Sequence, residues 1–288
     1  MLNKLLLIIY KVIIGIDNFF KIIFKKKSVV LHFVEFVNKI SYKEKKIENT
    51  KVKFFCPNNL IEWRVNTFYT KEPETLDWIK NFNSSEGEIV FWDIGANIGL
   101  YSIFAALKYE NIKIIAFEPS TSNLRILSRN ISKNNLSDKI NICQLALTSS
   151  QNKFLNLNES NFLEGSALHS FGEEFGHDGE KVKFEHKYSI LGSNMDFLIK
   201  NKIIQQPNYI KMDVDGIEHF ILSGGEETLK SKNLKSISIE LNENFTEQYD
   251  KSFEILTNAN FKFIEKNRTN LINVSDDYKK TYNFIFEK

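Results

Sequence analysis

The sequence predicts an α/β protein, a mostly parallel sheet covered by helices on both faces, preceded by a helical extension. Two observations carry this reading. From Glu88 onward, short apolar runs of strand length alternate with longer helix-patterned segments. Ahead of them lies an apolar stretch, Leu5 to Phe24, whose few polar residues follow a helical repeat. The composition agrees with a globular chain: 288 residues, 42% hydrophobic and 26% charged. It excludes a disordered, collagenous or multi-span membrane protein. A net charge of +2, from 38 basic and 36 acidic residues, gives no overall case for nucleic-acid binding. Cys56 and Cys143 match no zinc or CxxC spacing and read as free thiols.

In order along the chain, Lys4, Lys11, Asn18 and Lys25 recur every seven positions, with Asp17 and Lys21 beside that line. On a helix they form one narrow polar stripe on an otherwise apolar surface. Such a helix can pack on the body or a second subunit, lie on a membrane surface through residues 1–27, or anchor the chain. Ser28 to Lys46 continues as helix-compatible sequence ending in a charged run. Lys51–Phe55 and Ile61–Phe68, with Pro57-Asn58-Asn59 between, read as a β-hairpin. Pro73 opens a short helix through Ile79. The expected domains are therefore a helical extension over 1–50, a hairpin and helix lead-in over 51–86, and an α/β domain over 87–288.

Within that domain Ile89–Ile94, Ile112–Phe117, Ile140–Leu145, Tyr209–Met212 and Ser236–Leu241 are predicted strands. Ile98–Tyr109, Thr121–Asn134, Ile217–Lys230 and Phe245–Thr257 are predicted helices, the second capped by Ser120. Phe261–Glu265 and Tyr282–Phe286 close the pattern as strands able to add an antiparallel edge. The alternation breaks over residues 151–193, and within that stretch residues 160–180 hold four glycines together with His169 and His177. An irregular insertion of that length is expected to fold over the carboxyl edge of the sheet, where open α/β sheets bind ligands.

Asp93-Ile94-Gly95-Ala96-Asn97-Ile98-Gly99 follows a strand and opens a helix. Glycines there permit a tight turn and close approach of a ligand to the backbone, and the helix start offers free N–H groups. The dinucleotide pattern GxGxxG is absent, and a carboxylate stands two residues before Gly95. That carboxylate repels a phosphate but attracts an ammonium and a sulfonium, which favours S-adenosylmethionine over NAD. Glu118 ends the second strand of the domain, where an acidic residue accepts hydrogen bonds from ribose hydroxyls. Capping and a solvated strand end are the plainer alternatives for Asp93 and Glu118. Asp213, in Lys211-Met212-Asp213-Val214-Asp215-Gly216-Ile217-Glu218, is expected at the same edge, as a base, an orienting group, a ligand of a divalent cation with Asp215 and Glu218, or a helix-dipole partner.

These stretches resemble FkbM-type methyltransferases, a branch of the class I S-adenosylmethionine-dependent enzymes. The resemblance rests on Val90–Ser102, Phe117-Glu118-Pro119, Ile210–Glu218 with Leu222, Gly224 and Gly225, and the lead-in Glu72–Leu76. It covers about residues 60–265, with Asp215 standing where the family commonly has Glu. It implies a Rossmann-like sheet of seven strands with a reversed final strand, and methyl transfer to an oxygen of a sugar, glycan or natural product. By position it implies that Asp93, Gly95, Ala96, Asn97 and Gly99 hold the methionine part of S-adenosylmethionine, Glu118 and Pro119 the ribose, and Leu145 and Ala146 the adenine.

The catalytic candidates are Asp213 and His186, with His169 and His219 behind them, and no metal is assigned. The expected partners are a small-molecule or glycan acceptor, not nucleic acid, with a cytoplasmic location or one at the inner face of the membrane. Two other classes stay open, a S-adenosylmethionine-binding protein without turnover and a membrane-docked scaffold.

Overall fold

A computed structural model describes residues 2–24, 28–267 and 280–288. Helices α1 (Leu2–Phe24) and α2 (Val29–Ile40) come first. Strands β1 (Tyr42–Ile47) and β2 (Thr50–Phe55) then form an antiparallel hairpin. Helices α3 (Asn59–Asn66) and α4 (Pro73–Lys80) follow. The alternating part runs β3 (Ile89–Ile94), α5 (Leu100–Lys108), β4 (Ile112–Phe117), α6 (Thr121–Lys133) and β5 (Ile140–Cys143). Next come β6 (Ala146–Leu147), β7 (Lys153–Glu159), β8 (Ser170–Phe171), β9 (His186–Ser193) and α7 (Met195–Lys200). The chain continues through β10 (Tyr209–Met212), α8 (Glu218–Ser223), α9 (Glu226–Lys230) and β11 (Ser236–Asn242). The last elements are α10 (Thr246–Asn258), β12 (Lys262–Asn267) and β13 (Thr281–Glu287).

The main sheet has seven strands in the order β12-β13-β11-β10-β3-β4-β5. β11, β10, β3, β4 and β5 are mutually parallel, whereas β13 runs antiparallel to both β11 and β12. This is the predicted Rossmann-like sheet with its reversed final strand. All of β3 is buried, and its side chains alternate between two cores. Ile89 and Phe91 pack with α5, α6 and the β1–β2 hairpin, while Val90, Trp92 and Ile94 pack with α7, α8 and the elements after them.

The β-hairpin lies one strand earlier than the sequence predicts. β2 pairs with Tyr42–Ile47, and the segment read as the second strand is helix α3. Asn58 accepts a hydrogen bond from the Ile61 amide and starts that helix. Ile61 and Val65, one helical turn apart, are its buried residues. The predicted helix after β10 is also split, since Gly224 and Gly225 separate α8 from α9.

The stretch 151–193 is less irregular than expected. With β6 it builds a second sheet in the order β6-β9-β7-β8, largely antiparallel. It does lie over the carboxyl edge of the main sheet: Ser166, Ala167, Leu168, His169 and Phe171 line the cavity there.

Candidate active site

A cavity of about 280 Å³ opens at the carboxyl ends of β3, β4, β10 and β11. It follows from parallel connectivity, which delivers every strand-to-helix loop to the same edge. The first loop turns at Gly95 (φ 84°) and Asn97 (φ 51°). A Cβ on Gly95 would lie 1.9 Å from the Asp213 carbonyl oxygen, so any side chain there would collide with the loop after β10. The amides of Gly95 and Ala96 both donate to the Phe117 carbonyl, at 3.0 and 2.9 Å, stitching the loop to β4.

Asp93 is buried beneath this loop and does not line the cavity. Its Oδ2 accepts from the Ser102 amide (3.1 Å) and hydroxyl (2.6 Å) and so caps the first turn of α5. Its Oδ1 has no protein partner. Burial pushes the Asp93 carboxyl above its usual range, opposed by the Lys211 ammonium. Gly99 (φ 85°) likewise sits behind the cavity wall, against Leu127. Gly95, Ala96 and Asn97 form the wall itself.

Glu118 reaches the cavity and is 4% exposed, so it is not a solvated strand end. Its Oε2 accepts from the Asn97 amide and its Oε1 from the Ser120 amide, both at 2.8 Å. Burial raises its pKa to about 8 despite those bonds. Pro119, Leu145, Ala146, Leu147 and Phe117 give this end apolar walls. The cover is fastened to the loop because Asn97 and Asn123 side-chain amides both donate to the Ser166 carbonyl, at 2.8 and 3.1 Å.

The other end is strongly charged. Lys211, 2% exposed, places Nζ 3.1 Å from Asp213 Oδ2 and 4.9 Å from the Tyr101 ring centroid. Burial works against its charge, but Asp213, Glu72 and Asp93 outweigh it and hold the ammonium protonated. Asp213, Asp215 and Glu240 bring carboxylate oxygens within 4.8 Å of one another, and this trio could hold a cation. Burial first, and the Asp213 charge second, raise the pKa of both Asp215 and Glu240. Asp215 Oδ2 also accepts from the Leu168 amide at 2.7 Å, tying the cover to this end as well. Such a cluster can accept a proton and pass it on.

Of the two catalytic candidates, Asp213 lines the cavity and His186 does not. His186 lies on β9, its ring stacked on Phe162 with centroids 3.6 Å apart, because the second sheet turns that strand end outward. His219 is buried against Phe220 and Phe245, also away from the cavity, and burial lowers its pKa to about 4. His169 does line the cavity, with burial lowering its pKa and Nδ1 unpartnered. Glu218 is structural: its carboxylate accepts from the Val214 and Gly216 amides, each at 3.1 Å, and fixes the turn that carries Asp215.

The sequence reading did not place Arg64, Lys71, Tyr101 or Glu240 at this site. All four line the cavity. Glu240 had one usable signal, the one acidic residue near the carboxyl end of a predicted strand, Ser236–Leu241.

The family model described as the methyltransferase FkbM domain matches residues 93–263. The chain belongs to the FkbM methyltransferase family. This FkbM-family chain is 30% identical over 154 residues to methyltransferase sdnD of Sordaria araneosa, covering 47% of this chain and 60% of that one. It is 26% identical over 155 residues to the hexuronic acid methyltransferase AglP of Haloferax volcanii, covering 54% and 57%. The chain thus spans 57–60% of the length of these curated relatives. Among solved structures, methyltransferase FkbM of Methylobacillus flagellatus aligns with a TM-score of 0.46 and 16% identity, over 72% of this chain and 45% of that one.

Proposed function

We propose that this protein binds S-adenosylmethionine and transfers a methyl group to an oxygen, a hydroxyl on a sugar, glycan or related natural product. The carrying observation is that one cavity holds Glu118 at one end and the Lys211-paired Asp213 at the other. The cofactor, when bound, supplies a methyl carbon activated by a positively charged sulfur. Asn97 Oδ1, buried in the cavity wall without a protein partner, fits its polar methionine end, and Asp93 supports that loop from beneath through Ser102. Glu118 accepts from ribose hydroxyls, and Leu145, Ala146 and Phe117 flank the base.

Asp213 would orient the acceptor hydroxyl and take its proton as the hydroxyl oxygen accepts the methyl group that the cofactor would supply. Lys211 holds Asp213 in place. The cover residues Ser166–His169 exclude water, which favours alignment of the two reactants. A hexuronic acid is the substrate class named for one relative, which supports a sugar as the acceptor class.

The test is calorimetric titration with S-adenosylmethionine and with NAD, followed by methyl transfer to a panel of sugars and glycans. Wild type should bind only the first. Glu118→Ala should weaken binding by about tenfold or more, the size of a lost charge-assisted hydrogen bond. Asp213→Asn should keep binding and lose about a hundredfold or more in turnover. A folded wild type that binds neither ligand, with acceptors present or absent, would overturn the reading. Binding without transfer to any hydroxyl would favour a non-catalytic protein.

A further inference from the structure

The helices α1 and α2 carry an apolar surface that the rest of the fold leaves uncovered. Nearly every residue of α1 is exposed, and α2 has no buried residue. Leu5, Leu6, Leu7, Ile8 and Ile9 are consecutive and each 44–60% exposed. At 100° per residue they sweep a full turn of the helix. Phe19, Ile22, Phe33 and Phe36 continue the surface at 55–78% exposure. Patches of this extent on soluble proteins mark sites of protein or membrane contact.

The two helices are built as one unit. Asp17, 2% exposed, projects from α1 onto the start of α2. It accepts from the Ser28 hydroxyl (2.7 Å) and from the Val29 and Val30 amides (2.6 and 3.2 Å), and it pairs with Lys21 at 2.8 Å. The one acidic group of α1 is therefore consumed inside the hairpin and presents no free charge. Arg125 fastens the unit to the body: it donates to the Asn38 side chain at 3.0 Å and pairs with Glu164 of the cavity cover. Phe162 and Leu163 of that cover are also exposed.

We infer that the α1–α2 hairpin docks on an anionic lipid bilayer, lying along the interface with its apolar sector among the acyl chains. Three features select this occupant over a second copy of the chain. A protein partner covers one face, whereas the apolar sector here takes up most of the circumference. With Lys21 paired to Asp17, the cations Lys4 and Lys11 are spread along about 10 Å of α1, at 1.5 Å per residue, and Lys39 lies on α2. All of them reach lipid phosphates only if the axis lies in the membrane plane. Residues 1–46 hold ten lysines and three acidic residues, one of which is the sequestered Asp17. No helix among the described residues is long and apolar enough to cross a membrane, which fits an interfacial position.

The experiment is density-gradient flotation of the full chain with vesicles of phosphatidylcholine alone or mixed with phosphatidylglycerol. It reads lipid binding without cofactor and so stands apart from methyl transfer. Wild type should float with the anionic vesicles and at least about tenfold less with the neutral ones. Ile8→Asn/Phe19→Asn/Phe36→Asn removes apolar surface, and Lys4→Gln/Lys11→Gln/Lys39→Gln removes charge. Each should cut flotation by about tenfold or more. Their thermal midpoints should stay unchanged, because all six side chains are exposed. Wild type remaining at the bottom of the gradient, whether as a dispersed dimer or as aggregate, would overturn the inference. So would equal flotation of wild type and both variants.

Discussion

Glu118 spends its two oxygens on the Asn97 and Ser120 amides, yet burial still lifts its pKa to about 8. The folded value lies above the usual 4.5, so ionising it costs folding stability that grows as pH rises between those values. Ribose hydroxyls donating to the carboxylate favour its ionised form and pull the pKa back down. Cofactor binding should therefore release protons near neutral pH. Affinity should rise from about pH 6 to about pH 8, by at most tenfold per unit, and level off above. Titration in buffers of different ionisation enthalpy reads the released proton directly. A flat affinity profile, or equal release from Glu118→Gln, would contradict this. The Asp93–Gly99 loop was legible because its motif sits on one strand, one turn and one helix start, and Glu118 because it ends the very next strand. Arg64, Lys71 and Glu240 were not, since they converge from separate elements and no local spacing relates them. His186 misled because a histidine in an insertion carries no sign of which way its strand faces.

Helix α6 shows how an element can be held by one polar residue. Asn130 is fully buried, accepting from the Phe55 amide of β2 at 2.8 Å and donating to the Ile98 carbonyl of the Asp93–Gly99 loop at 2.9 Å. Asn130→Ala would leave both backbone groups buried and unpaired, at a cost of about 2–5 kcal/mol. Urea unfolding should show that loss through a lower midpoint at an unchanged slope, and a loss under about 1 kcal/mol would rule the account out. Most elements were legible in the sequence, because the fully buried parallel strands are bounded by Gly, Pro and charged residues. One exception was Ile61–Phe68, where aromatic and β-branched residues imitate a strand. What decides it is the Asn58 cap and the turn-spaced pair Ile61 and Val65, which face the same core as β2. The hairpin partner Tyr42–Ile47 was hidden for the converse reason. Its lysines and glutamate serve an exposed strand, and only Ile47 is buried.

At the scale of the molecule, one sheet separates two apolar cores, and the cavity draws its walls from both. A ligand in it braces β3, β4, β10, β11 and the second sheet together. S-adenosylmethionine at about a hundred times its dissociation constant should add about 2.7 kcal/mol to the stability of the fold. A rise of roughly 5–10 °C in the thermal midpoint is expected, with none in NAD. A midpoint that ignores the first ligand would mean the cavity is not its site. The mixed second sheet could not be foreseen, because β6 and β8 have two residues each and gain strand character only by pairing with β9 and β7.

The position of β13 has a consequence for the order of events on the ribosome. This strand is made after β12, yet it stands between β12 and β11. While translation proceeds, β11 carries an open edge with unpaired backbone groups, and β12 has no place to attach. Both wait until residues 281–287 have left the exit tunnel. For that interval the edge of β11 that β13 later covers is open to pairing with another chain.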